Sequence, residues 1–152
     1  MIYTSYYDIC DPRDTRYNLC SISGDRGKRV GFTGGYCREL APRMSFWEPW
    51  HNNIGQISDR ANNEFYIEQY WEEVLSHLNA NTIYEKFDNP YIPTILLCYE
   101  SHGFCHRHIA SAWLELETGI KVPEIKFGKN GRIEIADRPW WIKEYLQHIM
   151  AL

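Results

Sequence analysis

Residues 94–117 read TILLCYESHGFCHRHIASAWLELE, and they restrict the possible folds more than any other stretch of the chain. Four apolar residues, 95–98, follow Pro93 and break into a polar turn around Gly103. A short unbroken apolar run between such signals suits a strand buried in a parallel sheet. After Cys105, His106, Arg107 and His108 the apolar residues recur at helical spacing. The predicted unit is a buried strand, a loop, and a helix whose first turn carries a thiol, an imidazole and a guanidinium.

The flanking sequence supplies partners for that strand. Residues 1–8, rich in Tyr, Ile and Thr, predict a first strand, and residues 17–23 predict a second. Alternation along the second strand turns Cys20 and Ile22 one way and Ser21 and Ser23 the other, so two hydroxyls face together at its carboxyl end. Residues 58–78 carry apolar positions at helical spacing, with Ser58 or Asp59 as cap and Glu64, Glu68, Glu72 and Glu73 on a solvated face. A shorter helix is predicted over 81–87, and Pro90 and Pro93 end it before the central strand. Gly119 is a natural helix stop. Residues 121–125 predict a short strand that Pro123 confines to an edge, residues 132–136 a small added strand, and residues 137–150 a last helix with Asp137 as cap. Strands separated by helical connections imply an α/β fold: a single three-layer domain over 1–152, with a short, mainly parallel sheet flanked by helices.

In such sheets ligands bind outside the carboxyl ends of the strands, which gathers Ser21, Ser23, Glu100 and the Cys105 turn. Cys105 at a helix start, beside His106 and Arg107, is in a setting that favours thiolate, so it is a candidate nucleophile, with Glu100 and His106 as candidate acid–base groups. The alternative reading of Cys105 is a small buried hydrophobe. Arg107, with the free amides of the same turn, is a candidate anion holder, and a salt bridge to Glu100 is its structural alternative. Residues 24–35, GDRGKRVGFTGG, are rich in glycine and in Lys and Arg, and add Asp25 and Arg26 as candidate ligand-binding residues. Their spacing matches neither the P-loop nor the dinucleotide fingerprint. Cys105, His102, His106 and His108 form no established pair of metal-ligand motifs, so neither a metal centre nor a cofactor is expected. The aromatic cluster SFWEPW, with Trp47 and Trp50, is read as a pocket wall or a cover for the sheet edge.

LLCYE, followed after a short turn by CHR and a helix, resembles the domain of unknown function 488 family. IYTSYY, CSISGD and the Leu40-Ala41-Pro42 element fall in similar relative places, while the glycine-rich segment and the aromatic insert depart from it. The resemblance implies a compact α/β domain and directs attention to Glu100, Cys105, His106 and Arg107. It implies no particular activity.

Composition narrows the function classes. A net charge of -4 over 152 residues argues against broad non-specific binding of nucleic acid, which needs many cations facing phosphates. A mean hydropathy of -0.49, without an apolar run of membrane-spanning length, predicts a protein without a membrane partner. Five cysteines and no signal-peptide pattern predict free thiols in a reducing, cytoplasmic setting. The aromatic excess suits a core, a ring-stacking pocket or a partner surface, and is compatible with a homo-oligomer. The expected function is an anion-binding pocket that recognises or processes a phosphate-bearing small molecule, a nucleotide or nucleotide derivative. The alternative is a protein-interaction module that uses the Trp47 and Trp50 surface and leaves the Cys105 turn structural.

Overall fold

The structure, a computed structural model, describes residues 1–9, 11, 13–100 and 103–152. Its centre is a parallel sheet of four strands: β1 (Ile2–Tyr6), β2 (Asn18–Ser21), β3 (Gly35–Tyr36) and β4 (Thr94–Cys98), in the order β1-β4-β2-β3. β4 is buried along its whole length. It takes the middle because it has neighbours on both sides, Leu96 lying opposite Thr4 of β1 and Cys20 of β2. Alternation then divides its side chains between two cores. Leu96 and Cys98 join Ile2, Cys20 and Ile22 on one face, while Ile95 and Leu97 join Leu19 on the other. Each fully buried Leu or Ile contributes roughly 1.5–3 kcal/mol, so the register of this strand is strongly held.

The result is a three-layer α/β domain with a mostly parallel sheet flanked by helices, as the pattern predicts. Among the described residues, all five α-helices contribute to the core on the Cys98 face: α1 (Met44–Asn52), α2 (Asp59–Glu73), α3 (Ala80–Phe87), α4 (His106–Thr118) and α5 (Trp140–Met150). The opposite face is covered by Tyr7 from a 3-10 helix (Tyr7–Ile9), by Phe32, and by an antiparallel hairpin of β5 (Ile125–Phe127) and β6 (Ile133–Ile135). Among the described residues no helix is long and apolar enough to cross a membrane.

Several boundaries differ from the sequence reading, each for a local reason. Residues 44–52 form a helix that Pro49 conceals. Ser58 does cap α2, accepting from the Ala61 amide at 3.1 Å, but the α-helix stops at Glu73 and continues as one 3-10 turn (Leu75–His77). Asp137 does not cap α5. Pro139 disfavours helical backbone at the residue before it, so the helix begins only at Trp140. Arg138 reaches back to Ser111 and Glu115 of α4 instead. The expected edge strand at 121–125 is reduced to one bridge, Thr4 to Glu124, and β5 starts after it.

Candidate functional site

The connections from β2 and β4 leave the sheet in opposite directions. β2 leads to β3 on its outer side, while β4 leads through α4 to the Glu124 bridge beyond β1. Where adjacent parallel strands diverge in this way, their loops part and leave a crevice at the carboxyl ends. Here the crevice is a cleft of about 680 Å³, with Ser23, Asp25 and Arg29 from the β2 side and Cys98, Tyr99, Glu100, Phe104, Cys105 and His106 from the β4 side. Its remaining wall is apolar and largely aromatic, built by Trp47, Trp50 and His51 of α1 and Tyr66 of α2, with Pro42, Met44 and Ile54 beside them.

Ser21 and Ser23 do face together, as alternation requires. Both are buried, however, and both hydroxyls bond the Tyr7 phenol, at 2.7 and 2.6 Å. Burial raises the Tyr7 phenol above its ordinary value despite those bonds, so it stays protonated between the serines. Of the two serines only Ser23 borders the cleft; Ser21 is a structural member of this triad.

The glycine-rich segment folds into an exposed loop around a 3-10 turn (Lys28–Val30), held by Gly27 and Asp25. Gly27 has φ 77°, and a Cβ there would meet Phe32 and Tyr7 at 2.7 and 2.9 Å. Asp25 accepts from the Gly27 amide at 2.9 Å, the Arg29 amide at 3.4 Å and the Tyr99 hydroxyl at 2.5 Å. Partial burial pushes its carboxyl up, but these bonds outweigh burial and hold it below its usual range. The Arg29 guanidinium lies 4.1 Å from the centre of the Tyr99 ring, which sets a cation at the rim. Arg26, singled out from the sequence, instead stacks on Tyr36 at 4.6 Å and does not line the cleft.

The wall opposite is a chain of rings. Trp47 and His51, one helical turn apart, stack with centroids 4.8 Å apart and planes 9° apart. Trp50 packs on Tyr66 and Phe104, and its indole donates to Asn63 at 3.0 Å, which fixes the helix against α2.

Arg107 has an occupation that the sequence reading did not foresee. It is 1% exposed, and its guanidinium donates to both Glu124 oxygens at 2.9–3.1 Å and to the Glu100 carbonyl at 2.5 Å. Glu124 in turn accepts from Thr4 at 2.7 Å. The expected anion holder is therefore committed to a buried carboxylate, and a salt bridge was correct in kind but not in partner. Glu124 lies next to Pro123 on a different element, so no local spacing advertises the pair. What Arg107 does for the site is to tie the turn after β4 to the edge of the sheet. Glu100 itself is exposed at the cleft, beside Tyr99.

Cys98 and Cys105 are disulfide-bonded, which corrects the expectation of free thiols at these positions. Cys98 points to the helical face, and Cys105, the N-cap of α4, comes back over it at the end of the turn. As a disulfide, Cys105 carries no thiolate for nucleophilic attack. Cys20 and Cys37 are free and buried, and burial pushes the Cys20 thiol up to about 11 and the Cys37 thiol higher still. His106 bonds the Ile22 carbonyl through Nε2 at 2.7 Å. Burial, joined by the charge of Arg107, lowers its pKa to about 4, so the ring is neutral: Nε2 donates, and Nδ1 keeps a lone pair 4.0 Å from the Cys105 sulfur. His108 is buried too, lowered to about 3 mainly by burial, and its Nδ1 has no hydrogen-bond partner among the described residues. His102, considered above as a metal ligand, lies outside the described residues.

The structure thus gathers Ser23, Asp25, Glu100, Cys105 and His106 at one cleft, and it leaves Ser21, Arg26 and Arg107 out of it. Comparison with protein-family models, with curated proteins and with solved structures finds no match to this chain.

Proposed function

We propose that the cleft between the β2 and β4 loops binds a nucleotide or nucleotide-derived small molecule. The observation that carries this reading is the facing of two unlike walls across one cavity of ligand size. Trp47, His51 and Trp50 offer ring faces on which a base can stack. On the other side the Asp25 and Glu100 carboxylates are acceptors suited to sugar hydroxyls, and Arg29 is a cation suited to a phosphate at the rim. Arg107 serves this pocket indirectly, by holding the turn that carries Glu100 and Cys105. The resemblance to the domain of unknown function 488 family stands beside this reading and adds no activity to it.

The test is a thermal-shift titration with mononucleotides and sugar phosphates, because a ligand that binds only the native state raises its stability. A saturable shift that is lost in Arg29→Ala and in Trp47→Ala, with both variants folded, supports the pocket. An equal shift in wild type and both variants contradicts it.

A second reading has one observation in its favour. Met44 and Ile54, at the two ends of the α1 region, are 62% and 51% exposed, and Ile57 follows close by. A protein partner that covers this face would bury them along with the outer edges of Trp47 and Trp50. No nucleotide shift, together with concentration-dependent self-association that Met44→Asp and Ile54→Asp abolish, would favour that reading.

A further inference from the structure

The sulfurs of Cys98 and Cys105 and a ring nitrogen of His106 lie within 4.8 Å of one another, and all three residues line the cleft. We propose that, once the Cys98–Cys105 bond is reduced, Cys98 Sγ, Cys105 Sγ and His106 Nδ1 form a zinc site whose fourth position is open to the cleft. Two thiolates and an imidazole are a ligand set that selects zinc over magnesium or calcium, and three protein ligands with one vacant position is the arrangement of zinc sites that do chemistry.

Three features of the surroundings favour this over a chance cluster. First, the Nε2 proton of His106 is engaged by the Ile22 carbonyl at 2.7 Å, which fixes the tautomer and leaves the Nδ1 lone pair on the side of the Cys105 sulfur, as a carbonyl bonded to the far nitrogen of a ligating histidine does at metal sites. Second, the Cys105 Sγ to His106 Nδ1 separation of 4.0 Å is close to the ~3.6 Å edge of a tetrahedron built on usual zinc–sulfur and zinc–nitrogen bond lengths. Third, Arg107 Nη1 approaches Cys98 Sγ at 3.6 Å, and Cys105 caps a helix N-terminus. Both place positive charge beside sulfurs that must become thiolates. The spacing that the sequence reading lacked is therefore Cys98, six intervening residues, then Cys105 and His106 together, joined by the turn rather than by a compact motif.

The disulfide and the metal site are alternative states of the same sulfurs. Reduction by a low-molecular-weight thiol breaks the Cys98–Cys105 bond with two electrons: two external thiols become one external disulfide, and their protons go to the two cysteine sulfurs. Zinc then displaces those two protons as it binds. The ion is consequently admitted by reduction, and the reverse exchange releases it: one low-molecular-weight disulfide takes two electrons from the two cysteine thiolates, becomes two thiolates, and leaves the Cys98–Cys105 bond.

Cobalt is the direct probe, because thiolate-to-cobalt charge transfer and the bands of tetrahedral cobalt report both ligand type and geometry. The reduced 152-residue chain should take up one equivalent with both signatures and give it up to zinc, and the oxidised chain should take up none. His106→Gln and Cys98→Ser should each weaken uptake at least tenfold, whereas Cys20→Ser should not change it. Absence of the charge-transfer band from the reduced chain overturns the proposal, as does a band that persists unchanged in Cys98→Ser. Should Cys98→Ser fail to fold, X-ray absorption on zinc-loaded wild type decides alone: two sulfurs and a nitrogen support the site, and a shell of light atoms only overturns it.

Discussion

At the scale of single residues, the buried polar groups carry most of the structural risk. Arg107 and Glu124 are both nearly inaccessible, so removing one leaves the other as an unpaired buried charge. Arg107→Ala should therefore destabilise the fold by about 3–5 kcal/mol, whereas an apolar pair, Arg107→Met with Glu124→Leu, should recover much of that loss. Urea denaturation of Arg107→Ala, Arg107→Met, Glu124→Leu and the double variant measures it, and additive losses in the last three would count against a coupled pair. Tyr7 is a comparable case on the other face of the sheet. Tyr7→Phe strips both Ser21 and Ser23 of their shared partner and should cost about 1–3 kcal/mol, again read from the urea midpoint. Neither partner was legible in the sequence. Alternation shows that Ser21 and Ser23 share a face, but not which side chain meets them. The register that brings Glu124 beside Thr4 depends on where α4 ends and the chain turns back.

At the scale of elements, the sequence is most readable where one periodicity dominates. The β4 run, the α4 pattern and its Gly119 stop are found within a residue or two, because burial there agrees with local preference. Legibility fails where a proline falls inside a helix, as at Pro49, or where it delays one, as at Pro139. The α4–α5 contact is held by Glu115, which pairs with Arg138 and Lys143 and accepts from the Val122 amide at 2.8 Å. Burial alone would raise the Glu115 carboxyl, but the Val122, Lys143 and Arg138 bonds together lower it below 4.5. A carboxyl held low in the fold contributes stability that is complete above its unfolded value and lost as pH falls through its folded value. Wild type should therefore be more stable than Glu115→Gln at neutral pH, and the difference should shrink as pH drops below 4.5. A gap in urea midpoint that stays constant with pH would argue that Glu115 acts through packing alone. In the glycine-rich segment, Gly27→Ala combines positive φ with a close approach to Phe32 and Tyr7. It should destabilise by more than about 1 kcal/mol and loosen the rim that carries Asp25 and Arg29.

At the scale of the whole molecule, strand order makes the site. Because β4 inserts between β1 and β2, the loops of β2 and β4 part company, and the cleft opens where they do. The sequence indicated the sheet class and the convergence of Ser23, Glu100 and Cys105 at strand ends. It could not indicate that Arg107 turns inward, that Arg29 takes the rim, or that Cys98 reaches Cys105, since each depends on which strands are neighbours. The measurement that tests the cleft most directly is equilibrium binding of a mononucleotide to the full chain by calorimetry, with Arg29→Ala and Arg107→Met/Glu124→Leu in parallel. The account predicts saturable binding that is weakened at least tenfold by loss of the Arg29 cation and less than that when the buried pair, which only holds the turn carrying Glu100, is replaced by apolar residues. Binding that survives Arg29→Ala but disappears with the buried pair would return the anion to Arg107 and contradict the account.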